Sequence, residues 1–362
     1  MKLFDRYIIG SLISPFIFGI LSFTAMISGS TVLFPIISNA NKYGFSILSA
    51  LEIFFYRIPG IMTITFPMSI LLATIIVFGR LSSDRELIAF RSAGIGQIRL
   101  IIPVILLGLV ISLINISFNE LIVPKSNYKA EVMYQKLKNV TPQIKKQVNV
   151  TEYDVDGLPN RIINVREVNG AILENITLAE YDSGQLSRVI RAQKGSWDSQ
   201  TGWVLEHGVM HSFSPKNKYK VMLIEFEKER IDITLDLNKE MAPEKSADEM
   251  TLMELDELIQ YKTKTGADVK KLSLQYHLKF SLPFACLIFS IIGISVGIRP
   301  HRNSSAMGMG LSLVIIIIYY ILLSISMSLG LGNLLTPVFA AWLPNVLIGV
   351  SGIVLLRRLA YH

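Results

Sequence analysis

Apolar residues are massed at both ends of the chain and dispersed through its middle, and the two patterns predict two kinds of structure. Six runs match the roughly 20 mostly apolar residues that a membrane-crossing helix requires. They cover about Tyr7 to Ile37, Ile58 to Phe78, Leu100 to Val123, Leu274 to Ile298, Met307 to Leu329 and Leu334 to Leu356, three before a polar stretch and three after it. The first run is far longer than the apolar stretch of a cleaved leader, and no small-residue cleavage pattern follows it. It reads as a retained span that exceeds a ~30 Å hydrocarbon core, so its far end tilts or stands out of the bilayer.

Between Lys125 and Lys271 the period falls to two. Short alternating runs at Val148 to Tyr153, Arg161 to Val168, Ile172 to Tyr181, Leu186 to Gln193 and Trp203 to Phe213 predict strands. Turn pairs separate them: Asp156-Gly157, Asn169-Gly170, Ser183-Gly184 and Thr201-Gly202. A sixth run sets Met222, Ile224 and Phe226 against Leu223, Glu225 and Glu227; beyond Arg230 the apolar set moves to Ile231, Ile233, Leu235 and Leu237. That change of phase near Lys228 to Arg230 predicts a bulge or turn. The whole suggests an antiparallel sandwich or jelly roll. Its inward residues would look the same whether they pack on one another or on a lipid chain. Two helices bracket the sheet. Ser126 to Leu137 extends the third span, and Thr251 with Glu254 forms a capping box that starts a helix with a Leu252, Leu255, Ile259 stripe, ending before Gly266.

The fold class is therefore an α+β membrane protein with six transmembrane helices (3+3) and an inserted antiparallel β-jellyroll domain. Residues 1–124 carry the first three spans, 125–272 the insert with its flanking helices, and 273–362 the last three spans.

Composition sharpens this plan. Half of the 362 residues are hydrophobic and only 17% are charged, against about 25% in soluble domains, which argues against an ordinary cytosolic enzyme. The net charge of +7 invites a nucleic-acid reading, but the insert holds 22 Lys+Arg against 23 Asp+Glu. The surplus therefore belongs to the loops between spans, and nucleic acid is not a partner. Lys2, Arg6, Arg80, Arg85, Arg91, Arg99, Arg299, Arg302, Arg357 and Arg358 all fall on one side, which the positive-inside rule makes cytoplasmic. Both termini then lie inside and the insert outside, in the periplasm of a Gram-negative cell. Cys286 is the only cysteine, so no intrachain disulfide forms.

The chain lacks the motifs of a catalyst. GxxxxGK[ST] and HExxH are absent, and His207 and His211 would stand about 13 Å apart on a strand, too far to share a metal. The informative stretch is Leu81 to Gly94 in a short cytoplasmic loop. Ser83 with Glu86 has capping-box spacing, Gly94 suits a helix stop, and Leu87 and Phe90 share one side. Such a helix, about 82–94, either packs on the bundle and the lipid interface or plugs into a partner. A chain with spans for a transport path and no motor needs a handle for an ATPase.

At these residues the sequence resembles the LptF/LptG permeases of lipopolysaccharide export, over nearly its whole length. The resemblance rests on Phe4-Asp-Arg-Tyr-Ile8, the loop Asp84 to Gly94, Val123-Pro124, the stretch Leu274-Gln-Tyr-His-Leu-Lys-Phe-Ser-Leu-Pro283 and the tail Ala340-Ala-Trp-Leu-Pro-Asn345. The start and tail are closer to LptG. The resemblance implies a non-catalytic permease paired with a second one above an LptB ATPase dimer. ATP and Mg²⁺ would belong to that partner, with no cofactor in this chain. It also implies a periplasmic jelly roll that hands lipopolysaccharide to LptC and an LptA-type bridge. Glu86 would be the acid that meets a basic residue of the ATPase, supported by Arg85, Ala89, Arg91 and Gly94. The first and fifth spans would line the lipid cavity. Some G-type relatives place a lysine where this chain has Thr31 or Val32, so Lys42, Arg57, Lys125 and Lys129 become the candidate headgroup cations; interfacial snorkelling explains them equally. Met222, Ile224 and Phe226 are the candidate conduit lining. The rival readings are another ABC-linked lipid or lipoprotein release permease, with four spans, and a membrane scaffold whose sheet binds proteins.

Overall fold

A computed structural model describes residues 3–44, 46–94, 96–137, 148–153, 158–169, 172–182, 184–198, 202–213, 221–231, 245–264, 267–298 and 305–361. Lys2, Arg299, Arg302, Gly266, the apolar set Ile233, Leu235 and Leu237, and much of the expected turns (Asp156, Gly157, Gly170, Ser183 and Thr201) lie outside the described residues. Six helical stretches are long and apolar enough to cross a membrane, three before the strands and three after them. The first is interrupted: α1 (Leu3–Ser28) passes through a π turn (Gly29–Leu33) into α2 (Phe34–Tyr43). Within that turn Thr31 Oγ1 donates to the Ile27 carbonyl at 2.8 Å, a back-bond that tends to bend helices. The second span is α3 (Ile47–Ser83), and a short α4 (Glu86–Ser92) leads to the third, α5 (Gln97–Leu121) continued by α6 (Val123–Leu137). After the sheet come α7 (Leu252–Lys264), α8 (Lys270–Gly297), α9 (Ser305–Leu331) and α10 (Pro337–Tyr361). The capping box at the start of α7 forms as expected, with Glu254 N donating to Thr251 Oγ1 at 3.2 Å and Thr251 N to Glu254 Oε2 at 2.8 Å.

Several spans contain proline, which lacks the N–H that the carbonyl four residues earlier would accept. In lipid that carbonyl must find another donor. Pro67 leaves the Thr63 carbonyl, and Asn115 Nδ2 of α5 donates to it at 3.0 Å. Pro283 leaves the Lys279 carbonyl, which Asn119 Nδ2 reaches at 3.4 Å. Pro344 leaves the Ala340 carbonyl, which Ser326 Oγ meets at 2.6 Å. These three carbonyls are thus tied to neighbouring helices. Close packing adds to this: a Cβ on Gly293 would lie 2.7 Å from Thr74 Cβ, and one on Gly297 2.8 Å from Phe78 Cβ. This Gly-x-x-x-Gly face lets α8 approach α3 at the backbone.

The spans, with α6 and Ser246–Asp256, form one compact unit; the strands with Glu257–Val269 form a second. Helix α6 groups with the spans because Ala130 is fully buried beside Ile36 of α2 and Ile53 of α3. In the second unit the described strands are β1 (Val148–Tyr153), β2 (Pro159–Asn169), β3 (Ile172–Asp182), β4 (Gln185–Asp198), β5 (Gly202–Phe213) and β6 (Val221–Ile231). They pair antiparallel in chain order within one sheet. Ile163, Val165, Leu173, Ile176, Leu178, Ile190, Trp203 and Leu205 bury its apolar face.

One line crosses this sheet where alternation inverts. Arg166, Asn175, Gln193, His207 and Glu227 stand at the same level of β2 to β6, and none is paired in the register, while pairing continues unchanged on both sides. The backbone turns left-handed there at Asn175 (φ 54°) and His207 (φ 52°). Because each strand carries one additional residue, buried positions on either side are three apart rather than two: Leu173 and Ile176, Ala192 and Gly195, Leu205 and Gly208. The phase change read near Lys228 is this crease, centred at Glu227 and extended over five strands.

Candidate functional site

The loop between the second and third spans is built on helix α4. The expected capping box does not form there. Ser83 is the last residue of α3, so its backbone is already helical; Arg85 takes the N-cap position with a left-handed φ of 59° and no side-chain cap. At the other end the stop is as expected, since Gly94 follows the C-cap Ala93 with φ 79°. Leu87 is buried against Ile8, Leu12, Phe78, Leu81 and Leu100. The opposite side presents Arg85, Ala89 and Arg91, all exposed, together with Ile88 at 62% exposure. Ile88 was missed in the sequence because it breaks no pattern; an exposed isoleucine beside two arginines suits a protein contact.

Glu86 is half-buried at the start of α4, and its Oε2 accepts a hydrogen bond from Tyr7 Oη of α1 at 2.8 Å. Phe90 meets Phe4 edge-on at 5.1 Å between ring centroids and Tyr7 at 6.5 Å. Nearby, Arg99 at the start of α5 pairs with Asp5 at 3.1 Å. The structure therefore places Glu86, Ala89 and Arg91 on one short helix, with Arg85 and Gly94 at its two ends, and links that helix to the beginning of the first span.

The four candidate headgroup cations fare differently. Arg57 is ion-paired with Glu131 of α6 at 2.7 Å, so its charge is already met. Lys129 lies exposed with its Nζ 5.9 Å from the centre of the Tyr56 ring, and Lys125 is exposed one helical turn earlier on α6. Lys42 falls in α2, with its side chain outside the described residues. A cation that sequence reasoning passed over is Lys279, buried in α8, whose Nζ donates to the Met250 carbonyl. Glu120 accepts from Leu252 N at 3.0 Å, and Asn127 Nδ2 donates to the Asp248 carbonyl at 3.3 Å, so three polar side chains hold the segment that leads into α7. Their signal was absent from the sequence because each targets a backbone atom far along the chain.

On β6, Met222, Ile224 and Phe226 share one face. Phe226 packs on the buried cluster, whereas Ile224 and Met222 are 43% and 65% exposed, so this face emerges from the core toward Val221. The tail and return stretches that carried the resemblance meet in the bundle: Asn345 Nδ2 donates to the Ser281 carbonyl at 2.6 Å and Tyr319 Oη to Asn345 Oδ1 at 3.0 Å. Their work is packing. Among the described residues no group of His, Cys, Asp and Glu is placed to hold a metal ion.

The family model described as lipopolysaccharide export system permease LptF/LptG matches residues 6–358. No curated protein matches the chain.

Proposed function

The chain belongs to the LptF/LptG family, the permeases of lipopolysaccharide export, and from that premise we propose that it draws the lipid from the outer leaflet of the inner membrane and passes it to a periplasmic bridge. As a member it is a multi-pass transporter subunit working within the Lpt ABC system. In the proposed cycle a separate LptB-type ATPase docks on α4, and a second LptF/LptG permease completes the path. Closure of the ATPase dimer moves α4, and the first and fifth spans yield the lipid laterally. The acyl chains then follow the apolar face of the sheet, including Phe226 and Ile224, because each CH₂ kept from water is worth about 0.8 kcal/mol. Lys125 and Lys129 are the cations best placed by exposure to meet an anionic headgroup, with Arg57 held by Glu131.

The observation that carries this reading is the exposed face of α4, bearing Arg85, Ile88, Ala89 and Arg91 beside the half-buried Glu86. Glu86→Arg tests it. The variant is expected to insert and fold, to lose ATPase association, and to uncouple ATP hydrolysis from lipid release. Wild-type export by Glu86→Arg refutes the role given to Glu86.

A further inference from the structure

A handle must turn something, and the packing of α4 indicates which span. We propose that Tyr7 is a positioning residue that couples α4 to the first span, so that motion imposed at Glu86 passes into α1 through side chains; this rests on the reading of Glu86 as the ATPase contact. Along the backbone, α4 is separated from α3 by the left-handed Arg85 and from α5 by the left-handed Gly94. Helical continuity is broken at both ends. Side chains join α4 to α1 instead: Tyr7 Oη donates to Glu86 Oε2 at 2.8 Å and the Phe4 and Tyr7 rings flank Phe90, while Leu87 shares one buried cluster with Ile8 and Leu12 of α1, Phe78 and Leu81 of α3 and Leu100 of α5.

The span so gripped is also one of the least enclosed. Ile13, Ile17, Phe18 and Leu21 of α1 are about half exposed or more, whereas Ile70, Leu71, Ala73 and Phe78 of α3 are fully buried. A pull on α4 therefore meets less packing resistance through α1 than through α3. Glu86 can serve both neighbours at once, because a carboxylate offers about four lone-pair sites and Tyr7 takes one. The hydroxyl fixes the carboxylate against α1, and a cation on the ATPase engages what remains.

The test separates the two contacts in the complete transporter, reconstituted in proteoliposomes with its ATPase and companion permease. Tyr7→Phe removes the hydroxyl and leaves the charge of Glu86. The variant is expected to bind the ATPase and hydrolyse ATP as the wild type does, while lipid released per ATP falls by about tenfold, the scale of a hydrogen bond to a charged acceptor. An unchanged ratio, or a fall matched by lost ATPase binding, overturns the proposal. In the Tyr7→Phe background, Phe4→Cys and Phe90→Cys joined by a short bifunctional thiol reagent should restore the ratio; a ratio that stays low with the bridge formed also overturns it. Glu86→Gln, whose amide oxygen still accepts from Tyr7, reports on the parent reading. Wild-type ATPase binding by Glu86→Gln would remove that reading and this proposal with it, whereas an unchanged ratio in Tyr7→Phe removes this proposal alone.

Discussion

Glu180 lies two residues beyond Leu178 on the buried face of β3, where a charge survives only if its partners hold it. Burial alone would raise its pKa. Hydrogen bonds from Arg188 and Arg161 and their charges outweigh burial and hold the carboxyl below the usual carboxylate range. Arg161 Nη2 lies 2.9 Å from Glu180, and Nη1 of the same guanidinium lies 3.3 Å from Glu152 on β1. For Glu152 the balance is reversed: burial raises its pKa against the pull of Arg161, and its Oε1 is buried without a hydrogen-bond partner. The signs follow. Glu180 is depressed in the folded chain, so its contribution is present above the ordinary carboxylate pKa and is lost as pH falls through the lower folded value. Glu152 is raised, so the folded chain takes up its proton first, and its charge penalty is relieved as pH falls through the raised value. At neutral pH, Glu180→Gln should therefore lower stability by about 1–2 kcal/mol, and Glu152→Gln should leave it unchanged or higher. Amide exchange across β1 to β4 of the full chain in detergent measures both. Equal protection in Glu180→Gln and wild type would show that the ion row carries no weight.

At the scale of elements, the proline stitches make a sharper claim than helix length does. If Asn115 is present to meet the carbonyl that Pro67 leaves bare, Asn115→Leu should destabilise the α3 and α5 pair by about 1–2 kcal/mol. Adding Pro67→Ala should recover most of it, because alanine restores the N–H that the Thr63 carbonyl would accept. Denaturation in mixed micelles gives the cycle; a double variant no more stable than Asn115→Leu would sink the pairing. The spans themselves were legible in the sequence because an uncharged run of that length has one inexpensive solution in a bilayer, a closed helix. Their stitches were not, since Pro67 and Asn115 are far apart along the chain and polar residues in apolar runs look alike until the fold brings them together. The crease was half legible. In β6 the shift from Phe226 to Ile231 shows openly, but in β4 and β5 the far side of the line is occupied by Gly195 and Gly208, which carry no apolar signal. Ser83 misled for a related reason: the spacing to Glu86 is right, yet α3 runs through it, and a residue inside one helix cannot cap the next. Tyr7 was invisible in the sequence because its partner is 79 residues away.

For the whole molecule, the proposed cycle requires that α4 and the sheet stand on opposite sides of the membrane, since it draws on cytoplasmic nucleotide and delivers the lipid outward. The charge distribution supports that orientation: cations gather in the loops on the side of α4, while the insert is nearly neutral and has no preference of its own. The arrangement of spans makes the claim testable without removing any native thiol, because Cys286 is fully buried and should be silent to a membrane-impermeant maleimide. Ser83→Cys places an exposed thiol just before α4, and Glu167→Cys places one on the exposed side of β2. In sealed cells whose outer membrane has been made permeable, the Glu167 position should label at once and the Ser83 position only after lysis. In inverted inner-membrane vesicles the order should reverse. Three spans precede the sheet, an odd number, so α4 and β2 are separated by one crossing, and the two positions can share a side only if the α5 segment does not traverse the bilayer. Labelling of both from the same side would therefore remove the third span and place the outlet in the compartment of the motor. Energy spent at α4 could then not draw lipid from the outer leaflet toward a periplasmic bridge, because the sheet that receives it would face the cytoplasm.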